Sequence, residues 1–248
     1  MTHYFITGAS AGIGAALATK LSKGKHQVSA VARRADLLAA LQQASDYFCG
    51  YQADVRDADA IAATVNDSVK TYGPIDVAIL NAGIYTPQNG CQIIPSIYAE
   101  HMDVNYMGVV NGLAAIIPQM LAAGGGQIVI MSSVAGWRGL PKAAAYAPTK
   151  AALIALAESL YFDLTPKNIK IQIMCPGFVD TEATAVNDFD MPDLLTAETA
   201  ADLIISGMQS DVFSHDFPKS FTRKLKFLRY LPDRLYFALV SKQTGAGT

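Results

Sequence analysis

Three side chains in one stretch could move a proton between them. Ser133, Tyr146 and Lys150 lie in the run from Ser132-Ser133 to Tyr146-Ala-Pro-Thr-Lys150. Tyr146 and Lys150 are four residues apart where a helix is expected to begin, so they share a helix face. Pro148 suits a first helical turn, where its missing N–H is no loss. A free phenol titrates at about 10, too high to exchange protons at neutral pH. A neighbouring ammonium favours phenolate and is expected to lower that value, making Tyr146 a candidate general acid/base. Ser133 is expected at the carboxyl end of a strand, where its hydroxyl can bond a substrate oxygen and the charge developing on it. Alone, a tyrosine four residues before a lysine is commonplace: a half-buried ring and a snorkelling stem.

A second group of residues could hold an anion. Thr7-Gly8-Ala-Ser10-Ala-Gly12-Ile13-Gly14 follows a strand-like run and opens a helix. Glycine permits a tight turn and close backbone approach, and the helix N-terminus offers unpaired N–H groups and partial positive charge. The spacing is G-x-x-x-G-x-G and not the commoner dinucleotide pattern G-x-G-x-x-G. Gly8, Ser10, Gly12, Ile13 and Gly14 are therefore candidates to cradle a pyrophosphate. The second strand then ends in Val31-Ala-Arg33-Arg34-Ala-Asp36. An acidic residue there would accept hydrogen bonds from the adenosine 2′-OH of NAD, whereas two guanidinium groups suit a 2′-phosphate. Arg33 and Arg34 thus point to NADP(H) over NAD(H). The structural alternative is a solvated basic turn, with Asp36 capping the next helix.

These groups need elements that bring them together. Short apolar runs alternate with helix-length segments. Strands are expected at 4–7, 27–32, 47–53, 75–80, 127–132 and 169–175, and helices at 13–23, 35–43, 57–72, 98–122 and 145–165. In the fourth helix, Met102, Tyr106, Val109, Val110, Leu113, Ile117 and Met120 are expected to hold one face. Ile75-Asp-Val-Ala-Ile-Leu80 is apolar on both faces, as a strand covered on both sides must be. The pattern predicts an α/β, Rossmann-type doubly wound, mostly parallel sheet with helices on both faces, of about seven strands in the order 3-2-1-4-5-6-7. Residues 1–248 read as a single dinucleotide-binding catalytic domain, with 182–240 as substrate lid and basic C-terminal segment.

Composition excludes other classes. With 248 residues, 51% apolar and 16% charged, the chain is no disordered segment. A net charge of −2 argues against nucleic acid as a partner. Three cysteines (Cys49, Cys91, Cys175) are too scattered for a disulfide scaffold, and four histidines lack ligand spacing, so no metal is expected. No basic n-region with an apolar h-region opens the sequence, and the expected compartment is the cytoplasm. The uncharged stretch 104–137 is long enough to span a bilayer, but Asn105, Asn111, Pro118, Gln119 and glycines 124–126 divide it into a helix and a strand expected to be buried core.

Taken in order, the glycine turn, Asn81-Ala82-Gly83, Ser133, Tyr146 and Lys150 resemble a short-chain dehydrogenase/reductase, over about residues 3 to 182. The resemblance implies hydride transfer between nicotinamide C4 and a small-molecule carbonyl or secondary alcohol, with Tyr146 exchanging the proton. It implies that Lys150 binds the nicotinamide ribose and tunes Tyr146, that Ser133 steadies the substrate and that Asn105 holds a relay water. It further implies that Asp54 contacts adenine, and that Pro176, Gly177, Val179 and Thr181 bind the carboxamide. Leu80 replaces the first asparagine of the family's Asn-Asn-Ala-Gly element. Ala11 stands where some NADP-dependent members carry a basic residue, so NADP(H) rests on Arg33 and Arg34 alone. The fourth helix and the Tyr146 helix pair across two-fold axes in this family, which implies a homodimer or homotetramer. A nucleotide sensor on the same fold is the alternative from another class, and such proteins usually lack the tyrosine or the lysine.

Beyond Thr181 the substrate is not legible. Residues 182–195 are expected to form a mobile lid, followed by a helix over 197–208 opened by Thr196. Residues 213–248 hold seven basic and two acidic residues, net +5, against net −7 for twelve basic and nineteen acidic residues before them. Two short helices broken by Pro232 are expected there. Their basic, aromatic-rich character suits either packing over the substrate cleft or a partner subunit, or weak contact with a membrane surface by a lipid-modifying enzyme.

Overall fold

The structure, a computed structural model, describes residues 1–187 and 189–245. Asp188, in the expected lid, and residues 246–248, within the glycine-containing end at 245–248 that the sequence predicts to be disorder-prone, lie outside the described residues.

Among the described residues seven strands form one sheet: β1 (His3–Thr7), β2 (Gln27–Ala32), β3 (Phe48–Gln52), β4 (Val77–Leu80), β5 (Gly126–Met131), β6 (Ile169–Pro176) and β7 (Ser214–Phe217). Their order is 3-2-1-4-5-6-7 and every pairing is parallel. The strand ends lie within two residues of expectation. The six expected strands omit β7, because an edge strand reading Ser-His-Asp-Phe has no apolar run to announce it. The helices are α1 (Gly12–Lys23), α2 (Ala35–Gln42), α3 (Ala58–Tyr72), α4 (Pro95–Met102), α5 (Gly108–Ala123), α6 (Ala147–Leu164), α7 (Ala197–Met208), α8 (Lys219–Arg229) and α9 (Asp233–Thr244). Asp57 caps α3 by accepting from the Ala60 N–H at 2.9 Å, and Thr196 caps α7 by accepting from Thr199 at 3.1 Å. Asp36 does not cap α2. It lies in the first turn, after Arg34 at the cap position.

Because alternate strand residues face opposite ways, the sheet supports two apolar layers. Phe5, Leu80, Ile128 and Ile130 pack with Ile61 and Val65 of α3, Leu113 and Ile116 of α5 and Leu153 of α6. Ile6, Val28, Val129 and Met131 pack on the other side with Leu17 and Leu21 of α1 and Ile204 of α7.

The expected fourth helix runs further and is interrupted. A π turn, Asp103–Met107, separates α4 from α5, with the Gly108 N–H bonding the Asp103 carbonyl. This i→i+5 bond displaces the helix face from a steady 3.6-residue repeat. The buried side is therefore His101, Val104, Asn105, Val109, Leu113, Ile116 and Met120, while Met102 faces solvent and Ile117 is only partly buried. Pro95–Ala123 is long and apolar enough to cross a membrane by length and composition, and only 33% of its apolar window is buried. The expectation of buried core thus holds for β5 and for one face of α5. Met107 and Leu121 remain exposed, as do Tyr161 and Phe162 on α6.

Candidate active site

The carboxyl ends of β1, β4, β5 and β6 converge on one edge of the sheet. After β1 the chain turns through Gly8 (φ +69°) and Gly12 (φ +53°), the left-handed conformation that glycine alone adopts without penalty. A Cβ on Gly14 would lie 2.2 Å from the Gly8 carbonyl oxygen, so α1 can start this close to β1 only with glycine there. The side chain of Thr7 accepts from the N–H groups of Asn81 and Ala82 at 3.0 and 3.1 Å, and the Asn81 amide donates back to the Thr7 carbonyl at 3.1 Å. These bonds lock the loop after β4 against the glycine turn. No side chain caps α1 and no acidic residue sits in its first turn. Its leading N–H groups and partial positive charge thus suit a phosphate, and the turn fits the pyrophosphate of a dinucleotide.

At the end of β2, Arg33 is exposed, while Arg34 is held on both sides. Its Nη1 donates to the Glu182 carboxylate at 2.9 and 3.2 Å and its Nε to Ser10 Oγ at 3.3 Å. Arg34 therefore bridges the glycine turn and the loop after β6. Asp54 pairs with Arg56, whose Nη2 donates at 2.6 Å, and this bond holds the carboxyl below the usual range. Gly177 donates to the Phe217 carbonyl at 2.8 Å. Val179 pairs with Leu195 in a parallel bridge. Thr181 reaches over the glycine turn, its Cγ2 standing 2.9 Å from where a Cβ on Gly12 would be.

Ser133 follows β5, and its Oγ accepts from the Ala135 N–H at 3.1 Å, which orients the hydroxyl. Ser132 donates to the Lys150 carbonyl at 2.8 Å, tying the start of α6 to the end of β5. Tyr146 occupies the cap position of α6, and the buried Lys150 stands one turn on. Lys150 Nζ donates to the Met131 carbonyl at 2.8 Å and lies 5.5 Å from the centre of the Tyr146 ring. Ser133, Tyr146 and Lys150 thus come together as the spacing predicts.

The expected titration does not follow. Burial pushes the Tyr146 phenol up to about 12, and the hydrogen-bonded Ser133 hydroxyl only partly opposes it. Burial likewise pushes Lys150 down to about 8. Exclusion of water is the largest cause for both groups. Asn105, in the π turn, is wholly buried. Its Oδ1 accepts from Ile84 at 2.7 Å, and its Nδ2 donates to the Ile84 carbonyl at 3.0 Å and to Thr149 Oγ1 at 3.1 Å. This is backbone bonding by a polar helix residue: its amide pins the loop after β4 to α6.

Two site residues escape a reading of the sequence. Tyr85 packs edge-to-face on Tyr146 at 5.2 Å, and Glu182 pairs with Arg34. Glu182 directly follows the recognised Thr181, and that adjacency was its only signal.

A parallel sheet of this order, a glycine turn between its first strand and helix, and a serine, tyrosine and lysine at its carboxyl edge define a nucleotide-dependent oxidoreductase. The family model for short chain dehydrogenase matches residues 2–191, and the chain belongs to that family of NAD(P)-dependent enzymes. An uncharacterized oxidoreductase of Myxococcus xanthus is 33% identical over 237 residues, 94% of each chain. A 2-(R)-hydroxypropyl-CoM dehydrogenase of Xanthobacter autotrophicus is 31% identical over 198 residues, 76% of this chain and 78% of its own. Among solved structures, ElxO with NADP bound superposes with a TM-score of 0.80 at 23% identity, covering 90% of this chain and 99% of that one. A 3-ketoacyl-(acyl-carrier-protein) reductase from Brucella melitensis complexed with NADH gives 0.81 at 23%, covering 87% and 96%. Both share the fold.

Proposed function

We propose that this enzyme is a cytoplasmic, NADP(H)-dependent carbonyl reductase acting on a small apolar carbonyl compound, and that Tyr146 is its general acid/base. The observation that carries this is the gathering of Ser133, Tyr146 and Lys150 at the carboxyl edge of the sheet that also bears the glycine turn. In this reading Gly8, Ser10, Gly12, Ile13, Gly14 and the α1 N-terminus hold the pyrophosphate, and Arg33 and Arg34 the 2′-phosphate. Asp54 and Asn81-Ala82-Gly83 flank the adenosine half, and Pro176, Gly177, Val179 and Thr181 the nicotinamide half. NADPH, when bound, supplies the hydride to the carbonyl carbon. Ser133 donates a hydrogen bond to the carbonyl oxygen, and Tyr146 gives that oxygen its proton, leaving an alcohol. Lys150 binds the ribose and stabilises the phenolate left behind. The relay water assigned to Asn105 has to use atoms other than its two amide hydrogens, which are already committed.

The raised phenol supports reduction as the working direction, since Tyr146 stays protonated, and so able to donate, through neutral pH. NADPH consumption measured over a panel of aldehydes and ketones tests the proposal. For a responding substrate, kcat/KM for reduction should hold from pH 6 to about 8 and fall above it as Lys150 loses its charge, whereas alcohol oxidation should rise with pH. No turnover on any carbonyl of the panel would remove the reductase reading.

A 2′-phosphate must take Arg34 from Glu182. Glu182→Gln is therefore expected to tighten NADPH by about five-fold and leave NADH unchanged, the pair being largely exposed. Nucleotide fluorescence titration measures this, and equal effects on both cofactors would remove Arg34 from the phosphate site.

Exposed Met107 at the end of the π turn and Leu121 on α5, with Tyr161 and Phe162 on α6, support a homodimer or homotetramer built on these helices. Phe162→Ser should lower the mass found by light scattering at micromolar concentration, and a monomeric wild type would exclude the assembly.

A further inference from the structure

We propose that α8 and α9 dock the enzyme on an anionic lipid membrane. The two helices are fastened to the body on one side only. Asp216, at the end of β7, is buried and accepts from Thr222 Oγ1 at 2.5 Å, from Lys219 at 3.0 Å and from Lys226. Burial works to raise this carboxyl, but the three donors outweigh it and hold it low. Phe221 packs on Phe178 at 5.5 Å and lies 2.9 Å from where a Cβ on Gly177 would be. Tyr236 is buried and donates to the Gly139 carbonyl at 2.7 Å.

The other side is unlike an ordinary solvated helix face. Phe227 is 69% exposed, Tyr230 81%, Leu235 54%, Phe237 61% and Leu239 45%. Arg223 and Phe227 follow at helical spacing along α8, with Tyr230 at its C-terminal cap position, and Leu235, Leu239 and Lys242 follow likewise along α9. Arg223, Lys224, Arg229, Arg234 and Lys242 have no acidic partner among the described residues. Aromatic and aliphatic side chains set among unpaired cations match the headgroup and acyl boundary of an anionic bilayer. The chain before residue 213 carries net −7, so the charge is polarised and an anionic surface orients the molecule with these helices inward. A second copy of the same face is the poorer occupant, because a two-fold contact would set these cations against their own copies. Since α8 packs on the Pro176-Gly177 segment, docking places the catalytic edge near the lipid, where apolar carbonyl compounds partition. That consequence alone rests on the reductase reading.

Sedimentation of the full chain with vesicles tests the proposal. Phosphatidylcholine with about 30% phosphatidylglycerol should carry the protein down at low ionic strength, pure phosphatidylcholine should carry little, and about 0.5 M salt should weaken the binding. Arg223→Gln with Lys224→Gln should weaken it about 25-fold, at about five-fold per charge. Phe227→Ser with Tyr230→Ser should weaken it about ten-fold, including at high salt. Thermal melting confirms that the variants fold. Tyr146→Phe should bind vesicles like wild type, so that failure of catalysis and failure of docking are read separately. Absence of binding to anionic vesicles, or equal binding to both lipid compositions, overturns the proposal. So does a fall in oligomer mass on Phe227→Ser/Tyr230→Ser with vesicle binding unchanged, which would make this face a subunit contact.

Discussion

Tyr146→Phe should lower kcat by about three orders of magnitude while leaving NADPH affinity within about two-fold. The change deletes one oxygen and keeps the ring that packs on Tyr85 at 5.2 Å, so the cavity and the start of α6 persist. What disappears is the proton donor for the substrate oxygen. Ser133 remains, but its hydroxyl cannot replace a donor it only assists. Hydride orientation by the glycine turn and Lys150 also survives, which is why the loss is not complete. Stopped-flow reduction of a responding carbonyl, together with fluorescence titration of NADPH, separates the two quantities. Turnover within about ten-fold of wild type would assign the proton to another group.

Arg138→Met should destabilise the protein by about 3 kcal/mol and release α8 and α9 specifically. Arg138 follows the Ser133 turn. Its Nη1 donates to the carbonyls of Leu228, Arg229 and Leu231 at 3.4, 3.2 and 2.7 Å, and its Nη2 to Asp233 at 2.5 Å. Its guanidinium also lies 3.8 Å over the Tyr236 ring. The last carbonyls of a helix have no partner within it, so one planar cation here closes α8, starts α9 and holds both to the catalytic loop. Methionine keeps much of the bulk and removes every donor. A melting temperature lower by about 10 °C is the global readout. Hydrogen exchange is the local one, with amides of α8 and α9 accelerated and those of β1 and β5 unchanged. Uniform acceleration across the chain would show that Arg138 has no special hold on these helices.

The sheet, its order and the shared helix face of Tyr146 and Lys150 were legible along the chain, because each leaves a local record. Both-face apolar runs separated by helix-length segments leave few windings, and right-handed crossovers remove most of those. Tyr146 and Lys150 are one helical turn apart, so their proximity needs only α6. The glycine turn is also written locally, since Gly14 answers a contact with Gly8 six residues away. Tertiary structure decided what depends on distant partners or on desolvation. The Arg34–Glu182 pair spans 148 residues and the Arg138–Asp233 pair 95, beyond the reach of any local pattern. The raised phenol of Tyr146 was opposite to expectation, because charge spacing can be read along a chain but exclusion of water cannot. The π turn at Asn105 shifted the buried face of the longest apolar helix for a similar reason: one extra backbone residue per turn leaves no mark in the side chains that carry the hydrophobic pattern.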